Sequence, residues 1–541
     1  MNYLDLFPSK NSTVHAVLEQ RARRLPGHPF LMVRDRVLTY AEINEGANRL
    51  AHGLIAQGVR PGDRVAVMMA GSISYVLAWF AIAKAGAVEV PVNTAYKGDM
   101  LRYILETADV AAVIADEVFV GELRTAGGDL PGLSRLIVNP ADGGPDTLND
   151  GPGTLNGTMA AERHDPGLPV SGGDPACVIF TSGTTGASKG VVITHHHEVS
   201  FGVFFAEIVS MRSDDVAYNY LPFFHIAAKF LTFGAMLVDG RMALEPVFSL
   251  SRFWDDVRRY SATVAVAVGG LCHMLRSQPE RPDDADNTLR IVYAVPVPAE
   301  FQEEFERRFG LTLVEGYGST ESNLIVYSRP GETPRGSCGR PSPHFEVAIL
   351  DEDGHRLGPG ESGEICARPK LPNTLMKEYL GMPAKTVEVM QGYWFHTGDR
   401  GVMDEAGFVF FQDRIKDAIR RRGENISSFE VERLLNAHPD VAESAVVAMP
   451  SELGEDEVKA VVVRRPGSTL DEEGLLRFAV ETMPYFMVPR YIAFRDALPR
   501  TPTQKVRKVD LRGEGVTDDT WDRERAGLRV TREGLRDTRA A

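Results

Sequence analysis

The chain is expected to fold as an α/β protein in two domains, and three observations carry that expectation. Its 541 residues are too many for one domain, which typically runs to about 100–200 residues. Helical and strand patterns alternate through most of its first part, which favours parallel sheets with helices on their faces. From Phe345 the pattern turns to short strands and tight turns, and a second small α/β unit follows Asp413. The predicted architecture is a large N-terminal domain, residues 1–413, of mixed α/β sheets with a small β-barrel-like part, then a small mobile α/β C-terminal domain, residues 414–541.

The elements follow in order. Ala41 to Gln57 has helical spacing, with Ile43, Ala47, Leu50, Ala51 and Leu54 on one face. Arg64 to Met68 is an apolar strand, Ser72 to Lys84 a helix, and Ala87 to Val92 strand-like. Met100 to Thr107 is helical and Val110 to Ala115 a strand. Asn139 to Asp174, rich in Gly, Pro, Asp and Asn, reads as a surface connection. Alternation resumes at Ala176 and runs to about Glu315, and Asp353-Gly354 is a hairpin signal. The last unit has helix Phe429 to Ala437, strands Ala442 to Met449 and Val458 to Arg464, helix Asp471 to Thr482, and strand Tyr491 to Phe494. The charged tail from Gly513 is expected to cover the surface or fray.

Composition excludes several classes. A formal net charge of -15 is unsuited to a nucleic-acid duplex, which needs a basic face. The four cysteines, Cys177, Cys272, Cys338 and Cys366, form no CxxC pair, so a disulfide framework or structural zinc is not expected and a reducing compartment is. Met1 to Ser12 lacks the apolar core of a signal peptide. Val76 to Val92 is broken by Lys84, Gly86 and Glu89, too often to span a bilayer. The location expected is cytoplasmic, with no nucleic acid and no membrane span.

The most informative segment is Thr181-Ser182-Gly183-Thr184-Thr185-Gly186-Ala187-Ser188-Lys189-Gly190, after the apolar strand Cys177 to Phe180. Glycines let backbone N–H groups approach a phosphate, hydroxyls add donors, and Lys189 adds charge. The glycine spacing does not fit GxxxxGK[ST]. Gly186 to Gly190 does fit a GxSxG nucleophile elbow, but strand-like Val191 to Thr194 follows where the elbow needs a helix.

This segment resembles the phosphate-binding signature of the adenylate-forming superfamily of acyl-CoA synthetases, peptide-synthetase adenylation domains and luciferases. Ser188 stands where that signature usually has proline. Further motifs follow in the family's order. Gly316-Tyr317-Gly318-Ser319-Thr320-Glu321, with Glu315 before it, resembles the second signature. The resemblance implies that Tyr317 stacks on adenine, Thr320 bonds phosphate and Glu321 holds Mg²⁺. Trp394 to Asp399 resembles the third signature, in which Asp399 accepts from the ribose hydroxyls. Asp413-Arg414-Ile415-Lys416-Asp417 resembles the hinge signature, with Arg414 on ribose and Lys416 at the pivot. Arg422 to Ser427 matches the loop around Gly423 that lines the pantetheine tunnel in CoA-using members, and Arg420 and Arg421 would meet CoA phosphates or form a solvated basic patch. Pro499 to Lys505 resembles the final signature, with Lys505 the catalytic lysine and Gln504 where glycine is usual.

The implied activity is ATP-dependent adenylation of a carboxylic acid, with release of pyrophosphate, then transfer of the acyl group to coenzyme A. A carboxylate attacking an α-phosphate brings two anions together, so charge neutralisation and in-line positioning dominate. Lys505, Mg²⁺ on Glu321, and loop donors including Thr185 would supply the field. In the family the C-terminal domain then rotates and presents the Gly423 loop.

Pro222-Phe223-Phe224-His225 resembles the segment lining the acyl pocket. Lys229, four residues on, would share a helical face with His225 and meet a polar or anionic substrate group, or else pair with a nearby acid. Gly269, Gly270 and Val295 are the other expected wall residues. His195-His196-His197 is not expected to bind metal, because adjacent side chains diverge. The chain most resembles the carnitine/crotonobetaine–CoA ligase-like branch. A small or medium, polar acid is the expected substrate. Alternatives are a carrier-protein thiol as acceptor, adenylation of nitrite for an aryl amine, and a non-catalytic nucleotide-binding protein, against which the retention of Lys505 argues. A homodimer is also allowed for.

Overall fold

A computed structural model describes residues 12–140, 153–181, 188–268, 271–414, 419–421, 424–426, 428–450, 456–501, 505–531 and 534–537. Two seven-stranded sheets form the large N-terminal part. One runs Glu378–Tyr379, Lys189–Thr194, Pro175–Thr181, Val88–Pro91, Arg64–Met68, Ala112–Asp116, Leu136–Asn139. The other runs Thr312–Val314, Ile291–Val295, Val264–Val268, Val216–Asn219, Arg241–Leu244, Pro29–Val33, Arg36–Thr39. Both are parallel in their middles, as the alternating pattern predicts. Each ends in antiparallel pairing, and Pro175–Thr181 with Lys189–Thr194 is such a hairpin.

The buried helices explain the composition. Ile73–Lys84 is buried at every position and His195–Ile208 at all but Glu207. A helix apolar on all sides must be covered on all sides. His195–Ile208 packs on Ile226–Leu237 so closely that a Cβ at Gly202 would stand 2.3 Å from Phe233 Cβ, which only glycine avoids. At the surface, Tyr40–Ala56 is amphipathic as expected and opens with a capping box of Thr39 and Glu42.

A four-stranded antiparallel sheet, Phe345–Leu350, Gly363–Pro369, Phe395–Met403, Val409–Arg414, carries the third signature and leads out of the large part. The small C-terminal domain has its own sheet: Val441–Pro450, Asp456–Arg464, Tyr491–Arg495 and Trp521–Asp522. Among the described residues, its two hydrophobic clusters contain nothing before Ile419. The charged tail does not simply cover a surface. Trp521–Asp522 extends the sheet edge, Leu528 and Val530 are buried, and Arg523 donates to Pro489 O.

Candidate active site

The hairpin of Pro175–Thr181 and Lys189–Thr194 sets Thr181 opposite Lys189 in register. Residues 182–187, including the expected Ser182, Gly183, Thr184, Thr185 and Gly186, lie outside the described residues, as do Gly269, Gly270, Lys416 and Gly423. The short strand Glu378–Tyr379 pairs with Lys189–Thr194 and brings Tyr379 into the site. The Lys189 ammonium lies 4.6 Å from the Tyr379 ring centre, and the Tyr379 hydroxyl donates to Glu321 Oε1 at 3.1 Å. One tyrosine thus joins the cation expected to meet phosphates to the carboxylate expected to hold a hard cation, two groups 132 positions apart in sequence.

Gly316–Ser319 and Asn323–Tyr327 form a hairpin whose turn holds Thr320 and Glu321. Ser319 and Ser322 exchange backbone-to-side-chain hydrogen bonds across it, at 2.9 and 3.1 Å. A Cβ at Gly318 would stand 1.8 Å from Asn323 O, so this position requires glycine. Tyr317 is buried, and its hydroxyl donates to Asp399 Oδ2 at 2.7 Å. The two signatures expected to hold adenine and ribose therefore touch. Asp399 stands opposite Arg414 in the strand register; the Arg414 side chain lies outside the described residues. Glu315 accepts from Val297 N–H at 2.8 Å, and burial pushes its carboxyl up to about 7. Val295, half-buried, ends its strand two residues earlier.

The turn around Asp399 has a support that sequence reasoning missed. Glu364, Cys366 and His396 bring their polar atoms within 4.8 Å of one another. Glu364 holds His396 Nδ1 at 2.7 Å with one oxygen and accepts from Gly398 N–H at 2.8 Å with the other. This trio anchors the residue before Asp399. No sequence signal marks Tyr379, because its role arises from pairing between distant strands.

His225 caps the N-terminus of Ile226–Leu237 rather than lying within it. Burial, with a further push from the Lys505 ammonium, takes its imidazole down to about 3, so it is neutral near pH 7. Lys505 itself is exposed, in a loop closed by Thr501 N–H to Lys505 O at 2.7 Å and by Arg507 N–H to Pro499 O at 2.8 Å.

Two expectations need correction. The Lys229 ammonium is fully buried, paired with Glu89, 3.2 Å from Glu198 and 4.1 Å from the Trp79 ring centre. Burial opposes its charge, but Glu198 and Glu89 outweigh that and hold it above the ordinary lysine range. It is matched within the protein instead of being turned to a substrate, because an unmatched ammonium there would be too costly. Arg421 is likewise buried, donating to Phe486 O and Val488 O at 2.9 and 3.1 Å and paired with Glu457 at 2.8 Å, so it is not a contact for CoA phosphate. The Arg420 side chain lies outside the described residues. His195, His196 and His197 open a buried helix, and burial takes them down to about 3, 4 and 3.

A sequence model of the AMP-binding enzyme family matches residues 18–380, and one of the AMP-binding enzyme C-terminal domain matches residues 430–505. The crotonobetaine/carnitine–CoA ligase of Salmonella paratyphi C is 34% identical over 487 residues, covering 88% of this chain and 93% of that protein. The ATP-bound structure of MatB from Rhodopseudomonas palustris superposes with a TM-score of 0.79 at 28% identity, covering 92% and 98%. The anthranilate CoA ligase AuaEII, in complex with anthranoyl-AMP, shares the fold with a TM-score of 0.85 at 24% identity, covering 95% and 99%.

Proposed function

The chain belongs to the AMP-binding enzyme family and is an ATP-dependent, AMP-forming ligase, and from that premise we propose that it adenylates a small or medium, polar carboxylic acid and passes the acyl group to the thiol of coenzyme A. The observation that carries this reading is the convergence of Lys189, Tyr379 and Glu321, with Tyr317 and Asp399 joined. In the first half-reaction the acid oxygen attacks the α-phosphate of ATP and pyrophosphate leaves. Lys189 and Lys505 offset the charge gathering on the phosphates. Glu321 offers the oxygen ligand that Mg²⁺ would take, and the ion would neutralise phosphate charge. Tyr317 and Asp399 hold the nucleoside. Neutral His225 lines the acceptor side without bringing charge.

In the second half-reaction the CoA sulfur attacks the acyl carbon and AMP leaves. We take residues 1–413 and 414–541 as the two working domains, a division supported by the separate core of the latter. Rotation about Lys416 would withdraw Lys505 and bring up the Gly423 loop. Among the described residues, no helix is long and apolar enough to cross a membrane. ATP–pyrophosphate exchange against a panel of acids, with and without CoA, tests the reading. Exchange with one acid and thioester formation only with CoA are expected; exchange with none would overturn it. Nitrite with an aryl amine, and carrier protein in place of CoA, belong in the same panel. Nitrite gains no support from Lys229, whose charge is already matched.

A further inference from the structure

The site described so far leaves unexplained what holds the Lys505 loop in place. The strand Val409–Arg414 ends the four-stranded sheet, and Asp413 lies opposite Arg400, one register step from Asp399. Asp413 is 4% exposed and Ser428 not at all. Asp413 Oδ2 accepts from Ser428 N–H at 2.5 Å and from Ser428 Oγ–H at 2.7 Å. Ser428 begins the helix Ser428–Asn436 of the C-terminal domain, so a carboxylate from the large domain's sheet caps a helix of the small one. Ser428 Oγ in turn accepts from Lys508 Nζ at 2.6 Å, and Lys508 also pairs with Glu432 on the same helix at 2.8 Å. Lys508 follows directly on the closed loop that carries Lys505.

Every donor in this chain has an acceptor: the ammonium donates to the hydroxyl, and the hydroxyl to the carboxylate. The contacts run without a break from the strand beside Asp399 to the base of the Lys505 loop. We propose that Asp413, Ser428 and Lys508 form an interdomain clasp that positions Lys505 for adenylation. They are positioning residues; none of them needs to touch ATP. The inference rests on the two-step reading above. It implies that the clasp serves the first half-reaction and has no work in the second, where Lys505 is withdrawn.

The test uses the full chain with Lys508→Met, Lys508→Arg and Ser428→Ala. Hydrogen exchange followed by mass spectrometry reads the loop directly, with no acid needed. The peptide spanning residues 499–507 should exchange roughly tenfold faster in Lys508→Met than in the wild type, with the strands at Val441–Pro450 and Asp456–Arg464 unchanged. Unchanged exchange at 499–507, or a rise spread over the whole C-terminal domain, would overturn the clasp. With an acid found by pyrophosphate exchange, adenylation kcat should fall roughly ten- to a hundredfold in Lys508→Met, ATP KM should hold, and thioester formation from synthetic acyl-AMP should keep its rate. Lys508→Arg should restore most of the loss. Equal loss in both half-reactions would also overturn it. Failure of the two-step reading looks different: wild-type enzyme would then show no exchange with any acid.

Discussion

A lysine ammonium inside an apolar helix must be matched, and Lys229 is matched by Glu89 and Glu198 and faces Trp79. Removing one partner of a buried ion set leaves charge without compensation, at a cost of about 3–5 kcal/mol. Lys229→Met should therefore lower the unfolding free energy by about that much in urea titrations. A variant as stable as wild type, with a raised acceptor KM, would return Lys229 to the substrate pocket. Lys505 is the opposite kind of residue, exposed, with an ammonium that helps to keep the His225 imidazole neutral. Lys505→Ala is expected to abolish adenylation and spare thioester formation from synthetic acyl-AMP. Wild-type consumption of ATP and acid by that variant would remove the role. Glu315 carries a pH effect. Its folded carboxyl titrates at about 7, above the unfolded carboxylate, so its stabilising effect is present at low pH and is lost as pH rises from about 4.5 to 7. Glu315→Gln should flatten that part of the stability profile, and an unaltered profile would count against it.

At the scale of elements, periodicity and punctuation were good guides. Arg64–Met68 has the bounds its apolar run predicts, and Ile73–Lys84, Tyr40–Ala56 and Asp456–Arg464 differ from expectation by a residue or two. The antiparallel hairpin at Thr181 and Lys189 was legible only as a strand, a loop and a strand, since pairing direction leaves no local mark. Signatures mark Glu321, Tyr317 and Asp399 as candidates, whereas no local pattern marks Tyr379 and Glu364, which tertiary pairing brings beside them. Burial reversed the reading of Lys229 and Arg421, whose partners are distant in sequence. The tail departs in part from its composition for a related reason. High charge suggests an end that covers the surface or frays, whereas Asp522 pairs with Arg490 at 3.1 Å and Arg523 is buried. Deleting residues 520–541 should uncover the edge of Tyr491–Arg495 and part of the small core. The truncated chain is expected to melt earlier and to aggregate through that edge, seen by calorimetry and light scattering. Melting unchanged from the full chain would show that the tail adds nothing to the fold.

For the molecule as a whole, buried histidines and buried carboxyls pull the acid side of the stability curve in opposite directions. Burial takes His15, His196 and His273 down to about 4, and His195, His197 and His225 to about 3. In the unfolded chain each would titrate near 6.5. Between those values the unfolded state binds protons that the folded state refuses. Stability then rises with pH across that window, and is lost as pH falls below about 6.5. Each histidine contributes up to about 1.4 kcal/mol per pH unit. Glu315 works in the other direction between about 4.5 and 7, since the folded state holds its proton more tightly, and it offsets roughly one histidine. The buried carboxyls of Asp116, Glu198, Glu300 and Glu432 are raised as well and act with Glu315, so stability is expected to fall toward pH 5 by less than the histidines alone would give. Urea titrations at half-unit intervals from pH 8 to 5 would measure it. His197→Gln, which swaps a buried neutral ring stacked on Phe201 for a group that cannot charge, should lower the slope by one proton while reducing stability at pH 8. A slope unchanged by His197→Gln would mean that this ring gains its proton without unfolding, and that the helix opening at His195 admits water in a way its burial does not suggest.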